Sequence, residues 1–131
     1  MDLIVDTSTI IAVIANEPKK SLLVAKTQGY DLIAPYSLHW EIGNAFSAMI
    51  KRERVTLEQA TVAIEIYGQI PINLVDVDLI RALKIVGKHK VYAYDAYMIA
   101  SALDHGCPLL TLDGGLAYAA RAAGVEVWEA N

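Results

Sequence analysis

Four acidic residues of this chain, Asp6, Glu41, Asp95 and Asp113, stand where oxygen ligands could gather. Asp6 ends the apolar run Asp2-Leu-Ile-Val5, and Asp113 follows the run Pro108–Leu112. Carboxylates brought within about 4–6 Å raise one another's pKa and destabilise the fold unless a cation intervenes. An all-oxygen set of this kind suits Mg²⁺ or Mn²⁺, not zinc or copper. Such an ion activates water and stabilises charge on a phosphoryl group, so the chemistry would be hydrolysis of a phosphodiester. Ser8 and Thr111, each two residues from an acid, could orient the carboxylates or an ordered water. Asn44 lies one turn beyond Glu41, and Ala45 and Ala48 beside it leave room for an ion or ligand.

Each acid also has a plainer reading. Asp is a favoured helix N-cap, and Asp6, Asp95 and Asp113 all stand at or near helix starts. Glu41 alone reads as a solvated first-turn acid. Asp76 and Asp78 follow another apolar run and compete for the same location, so the residues alone leave five aspartates unseparated.

The elements that must position these groups are legible in the hydrophobic pattern. Residues 2–5, 31–34, 72–75, 108–112 and 125–128 read as short strands, nearly continuous in hydrophobics. Between them lie helical patterns over 7–16, 19–28, 37–54, 56–69, 78–89, 94–105 and 116–123. The clearest is 37–54, with an apolar stripe of Leu38, Ile42, Phe46, Met49 and Ile50. Thr56-Leu-Glu-Gln59 spells a capping box, and Gly29, Gly106 and Gly124 stand where helices should end. Alternating strands and helices predict an α/β fold: one domain over 1–131, a short, mostly parallel central sheet, helices on both faces (α/β/α). The carboxyl ends of parallel strands share one edge, where open α/β sheets bind ligands. Asp6 and Asp113 are expected there together.

The chain has 131 residues, 55% of them hydrophobic and 20% charged, which excludes a disordered segment. One cysteine, Cys107, allows neither an internal disulfide nor a structural zinc site and points to a reducing compartment. With no basic leader and no apolar stretch near the roughly 20 residues a membrane span needs, a cytoplasmic protein is expected. The formal charge is −4, where a nucleic-acid binder is usually basic. Setting the four candidate acids aside leaves eleven acidic against eleven basic side chains, and a bound cation would offset part of the local excess.

The runs Ile4-Val-Asp6-Thr-Ser8, Glu41-Ile-Gly-Asn44, Tyr94-Asp95-Ala96 and Leu110-Thr111-Leu-Asp113 resemble, in order and spacing, the PIN domain. The likeness is greatest to toxin ribonucleases of the VapC type and extends over nearly the whole chain. This resemblance implies Asp6, Glu41, Asp95 and Asp113 as the metal site, with Ser8, Asn44 and Thr111 supporting it. It further implies Mg²⁺ or Mn²⁺, endonucleolytic cleavage of RNA, a homodimer, and an antitoxin that blocks the site. It also sets Asp76 and Asp78 aside. One departure is Gly114-Gly115 after Asp113, where a more polar or basic residue is expected to help grip substrate.

Other features carry less. Lys88, Lys90 and Tyr92, within Lys88-His89-Lys90-Val-Tyr92-Ala-Tyr94, could contact phosphates and stack bases. A helix C-terminus with dipole-compensating cations followed by core tyrosines is the simpler account. His39 reads as structural or exposed, His105 as a C-terminal cap, and Cys107 as buried and inert. A phosphatase with Asp6 as nucleophile is disfavoured, because Ser8 stands where such enzymes carry a second Asp. Two other functions fit the resemblance: a PIN nuclease of RNA maturation, and a catalytically idle PIN module that binds RNA or protein.

Overall fold

A computed structural model describes residues 1–129. The strands are β1 (Asp2–Val5), β2 (Asp31–Pro35), β3 (Ile72–Val75), β4 (Leu109–Leu110) and β5 (Val127–Trp128). The helices are α1 (Thr7–Ile14), α2 (Lys20–Thr27), α3 (Ser37–Lys51), α4 (Leu57–Gln69), α5 (Leu79–His89), α6 (Ala93–His105) and α7 (Gly114–Ala122).

All four strand pairs are parallel, in the order β3-β2-β1-β4-β5. The chain builds outward from β1 through β2 to β3, then crosses back to β4 and β5. Because such crossovers are right-handed, this reversal puts α1–α4 on one face and α5–α7 on the other. The result is the expected α/β/α arrangement. α6 packs across β1, β2 and β4 and carries α5 on its outer side, while α1 packs against α2, α3 and α4.

The core explains why β1 and β4 read as unbroken apolar runs. Leu3, Ile4, Val5, Leu109 and Leu110 are fully buried, covered by α1 and α3 residues such as Ile10, Leu38 and Ile42 and by Met98 and Ile99 of α6. Of the stripe on α3, Leu38, Ile42 and Phe46 are buried, while Met49 and Ile50 are only partly so.

Element ends differ from the sequence reading for local reasons. α1 stops at Ile14 and α3 at Lys51, because Asn16 and Glu53 turn into left-handed backbone at φ 55° and 57°. β4 and β5 each shrink to two residues. After Leu110 the backbone N–H of Leu112 donates to the Ser8 hydroxyl and that of Asp113 to the Thr111 hydroxyl, so strand pairing gives way to side-chain bonds. The capping box on α4 is present with both halves made, Gln59 N–H to Thr56 and Thr56 N–H to Gln59. Asp78 stands at the α5 N-cap without a side-chain cap bond.

Candidate active site

The strand order reverses between β1 and β4, and the crevice outside their carboxyl ends is where an open α/β sheet receives a ligand. Asp6 leaves β1 into that crevice and is only 4% exposed. Its Oδ1 accepts from the Thr9 N–H at 3.0 Å, which caps α1, and from the Ser8 hydroxyl at 2.8 Å. Its Oδ2 accepts from Ser8 at 2.9 Å and from Thr111, across the crevice from β4, at 2.6 Å. Burial raises the Asp6 pKa, and the bonds from Thr111, Thr9 and Ser8 oppose that shift.

Asp113 is exposed and caps α7, with Oδ1 accepting from Gly115 N–H at 2.9 Å and Leu116 N–H at 3.2 Å. Thr111 ties the two acids together, because its hydroxyl donates to Asp6 and accepts from the Asp113 N–H at 2.9 Å. For Asp6 and Asp113 the capping and ligand readings are therefore compatible. Both capping contacts use Oδ1, and among the described residues none is made to Asp113 Oδ2.

Glu41 reaches the site from α3 and Asp95 from the first turn of α6, on opposite faces of the sheet. Burial pushes the Glu41 carboxyl up from 4.5 to about 7; the Thr7 and Ser37 hydroxyls pull the other way, and the charges of Asp6 and Asp95 push it further up. Asp95 is raised first by burial, then by Asp113 and Asp6. Glu41 and Asp95 thus each feel the charge of two other members of the set. Asp76 instead lines a separate groove with Trp40, Leu79 and Tyr97.

Electrostatic range is not ligand geometry. Among the described residues no three His, Cys, Asp or Glu side chains stand ready to hold a metal ion. Carboxylates without a counter-charge keep apart, and drawing them together requires a cation. The residues present do fit one. The donor set is all oxygen, and among the described residues Glu41 Oε2 is buried without a hydrogen-bond partner. An unpaired buried acceptor is costly, so this carboxylate gains from a donor or a cation brought within reach.

Asn44 lies one turn along α3 from Glu41 and is exposed. Lys88, Lys90 and Tyr92 are all exposed, Tyr92 at 88%, and Tyr94 is half-exposed. The expectation of core tyrosines is thus wrong, because the segment leading into α6 runs over the surface in extended backbone. The dipole argument does hold for Lys88 and His89, in the last turn of α5. His39 packs against Trp40 and Tyr67 and is exposed. His105 Nδ1 meets the Ser101 carbonyl at 2.9 Å at the end of α6. Burial, then Asp2, pushes the Cys107 thiol up, which keeps it unreactive.

Three residues were missed by reasoning from sequence. Thr7 and Ser37 flank Glu41, each as the first residue of its helix. Lys19, in the turn before α2, lines a cleft of about 140 Å³ with Thr111, Asp113 and Gly114. It brings a cation where Gly114-Gly115 supplies none. Nothing in the local sequence signals that meeting, which depends on how α1 and α2 fold beside β4.

No curated protein sequence matches the chain. Several solved structures share its fold. PAE2754 from Pyrobaculum aerophilum superposes with a TM-score of 0.73 at 22% identity, covering 97% of this chain and 92% of that one. VapBC2 from Rickettsia felis, bound to a DNA fragment from its promoter, gives 0.69 at 11% identity, with 98% of each chain covered. VapC20 from Mycobacterium tuberculosis, a sarcin-ricin loop cleaving toxin, gives 0.65 at 16% identity over 94% of this chain and 95% of that one. The model of the PIN domain family matches residues 3–122, nearly the full length, and the chain therefore belongs to that family.

Proposed function

We propose that this chain is a divalent-metal-dependent endoribonuclease that hydrolyses RNA phosphodiester bonds, acting in the cytoplasm as the toxin of a type II toxin–antitoxin pair. The observation that carries the reading is the carboxylate array at the β1/β4 crevice. Asp6 is anchored there by four hydrogen-bond contacts, Glu41 keeps an unpartnered buried oxygen, and Asp95 and Asp113 lie within electrostatic reach.

Asp6, Asp95 and Asp113 are the residues that would hold Mg²⁺ or Mn²⁺, with Glu41 completing the set. When bound, such an ion neutralises the carboxylates, activates water and stabilises charge on the phosphoryl group. Ser8 and Thr111 fix the Asp6 carboxylate in one orientation. Burial and the charges of Asp6 and Asp95 push the Glu41 carboxyl up to about 7, and a bound cation would be what keeps it ionised near neutral pH. Lys19 and Lys90 offer charge to phosphates, and Tyr92 and Tyr94 offer faces for unpaired bases. Asn44 lines the approach along α3. An antitoxin and a second copy of the chain are the partners; Trp40, Leu79, Ile80 and Leu83 leave apolar surface exposed for such contacts. VapC20, a sarcin-ricin loop cleaving toxin of this fold, supports the toxin role over RNA maturation.

Cleavage of RNA with Mg²⁺ by the wild type and by Asp6→Asn tests the proposal. Asn keeps the helix cap but removes the charge. Activity should fall at least about 100-fold; equal activity in both would discard the assignment. Growth arrest on expression, relieved by Asp95→Ala, tests the toxin role separately.

A further inference from the structure

Among the described residues, three side-chain atoms are buried without a hydrogen-bond partner: Thr7 Oγ1, Ser37 Oγ and Glu41 Oε2. They belong to one neighbourhood. Ser37 and Glu41 are four residues apart on α3, hence on one face, and a helical side chain leans back over the preceding turn. Glu41 therefore lies over Ser37. Thr7 opens α1, which packs against α3. Two buried hydroxyls and one buried carboxylate oxygen, each unsatisfied alone, are complementary as a group: both hydroxyls can donate and the carboxylate can accept. Neither hydroxyl is occupied elsewhere, since Asp6 caps α1 with its own side chain and α3 has no side-chain cap.

We propose that Thr7 and Ser37 are positioning residues that grip Glu41 Oε2 between two hydroxyls and so aim the other carboxylate oxygen at a divalent cation. The inference rests on the metal-site reading given above and deepens it. Both hydroxyls already lower the Glu41 pKa, which places them within reach of its carboxylate. Ser8 and Thr111 already do this for Asp6, with bonds of 2.6–2.9 Å. Each acid at the α1 end of the crevice thus has its own pair of hydroxyls.

Mn²⁺ affinity of the full-length chain, measured by titration calorimetry without RNA, tests this. Thr7→Val keeps the shape of Thr and removes the hydroxyl, as does Ser37→Ala for Ser. The double variant should bind Mn²⁺ about 10–100-fold more weakly than wild type. Thr7→Ser, which restores the hydroxyl, should stay within about 3-fold. Should the double variant not fold, the two single variants carry the test, each with a smaller loss in the same direction. Wild-type affinity in these variants, while Glu41→Gln binds weakly, overturns the positioning role and leaves the metal site standing. Equal weakening by Thr7→Ser and Thr7→Val also overturns it, since packing and not the hydroxyl would then matter. No Mn²⁺ binding by the wild type overturns the metal site and this inference together.

Discussion

Burying the Asp6 carboxylate costs free energy, and the donors around it decide whether it stays ordered. Thr111 matters most, since its hydroxyl makes the shortest contact and also receives the Asp113 N–H. Thr111→Val keeps the shape and leaves Asp6 Oδ2 and the Asp113 N–H short of a partner. The expected cost is about 1–3 kcal/mol in urea unfolding; an unchanged midpoint would show that water replaces the hydroxyl at no cost. The acids also make stability depend on pH. Asp6, Glu41 and Asp95 are all raised, so the folded chain keeps protons that the unfolded chain has released. The contribution of these three groups to stability is then fullest below their ordinary values of 3.8 for Asp and 4.5 for Glu, and is lost as pH rises towards about 7, where folded Glu41 ionises. In EDTA the Tm should be lower at pH 7.5 than at pH 5.5. Glu41→Gln should shrink the difference and Mn²⁺ should close it. A flat profile in EDTA would mean that burial and neighbouring charge do not raise these carboxylates.

At the scale of elements, three of the four candidate acids are placed by the start of a helix, and Glu41, expected in a first turn, lies beyond that of α3. Asp6 and Asp113 are N-caps, Asp95 lies in a first turn, and Glu41 is four residues past the first residue of α3. Helix N-termini carry partial positive charge, which favours carboxylates held there. Three helix starts therefore do part of the work of assembling a cluster of like charge. α4 is different, since its capping box closes the helix far from the acids in chain position and donates nothing to them. Thr56→Ala should cost about 1 kcal/mol of stability, read from denaturant midpoints, with RNA cleavage by the folded variant unchanged. A matching loss of cleavage would mean that α4 passes strain to the site through its packing on α1 and α3.

For the molecule as a whole, the charge of −4 makes the distribution of cations matter more than their number. Lys19 lines the cleft at Asp113, and Lys88 and Lys90 precede Asp95 with Tyr92 exposed between them and the acid. RNA held chiefly through these residues would show a shallow salt dependence, because few phosphates are neutralised. With Asp6→Asn as a non-cleaving background, Lys19→Ala and Lys90→Ala should each reduce the slope of log affinity against log salt by about 1. Slopes that do not move would shift RNA recognition to other surfaces or to a partner. No helix among the described residues is long and apolar enough to cross a membrane.

Much of this protein was already determined by residue order. Short apolar runs ending in Asp, helical stripes and the Thr56–Gln59 box all act within a few residues, so alternation, strand placement and a parallel α/β/α sheet could be read locally. The four acids could be picked out as a set only through resemblance, because capping chemistry explains Asp6 and Asp113 equally well, and both do cap. Tertiary structure decided what depends on distant segments meeting. It set the bond from Thr111 to Asp6 across 105 residues, the pairing of Lys19 with the Asp113 cleft, and the exposure of Tyr92. It alone placed Thr7 and Ser37 beside Glu41. Burial and charge are sums over everything that packs nearby, and no window along the chain contains those neighbours.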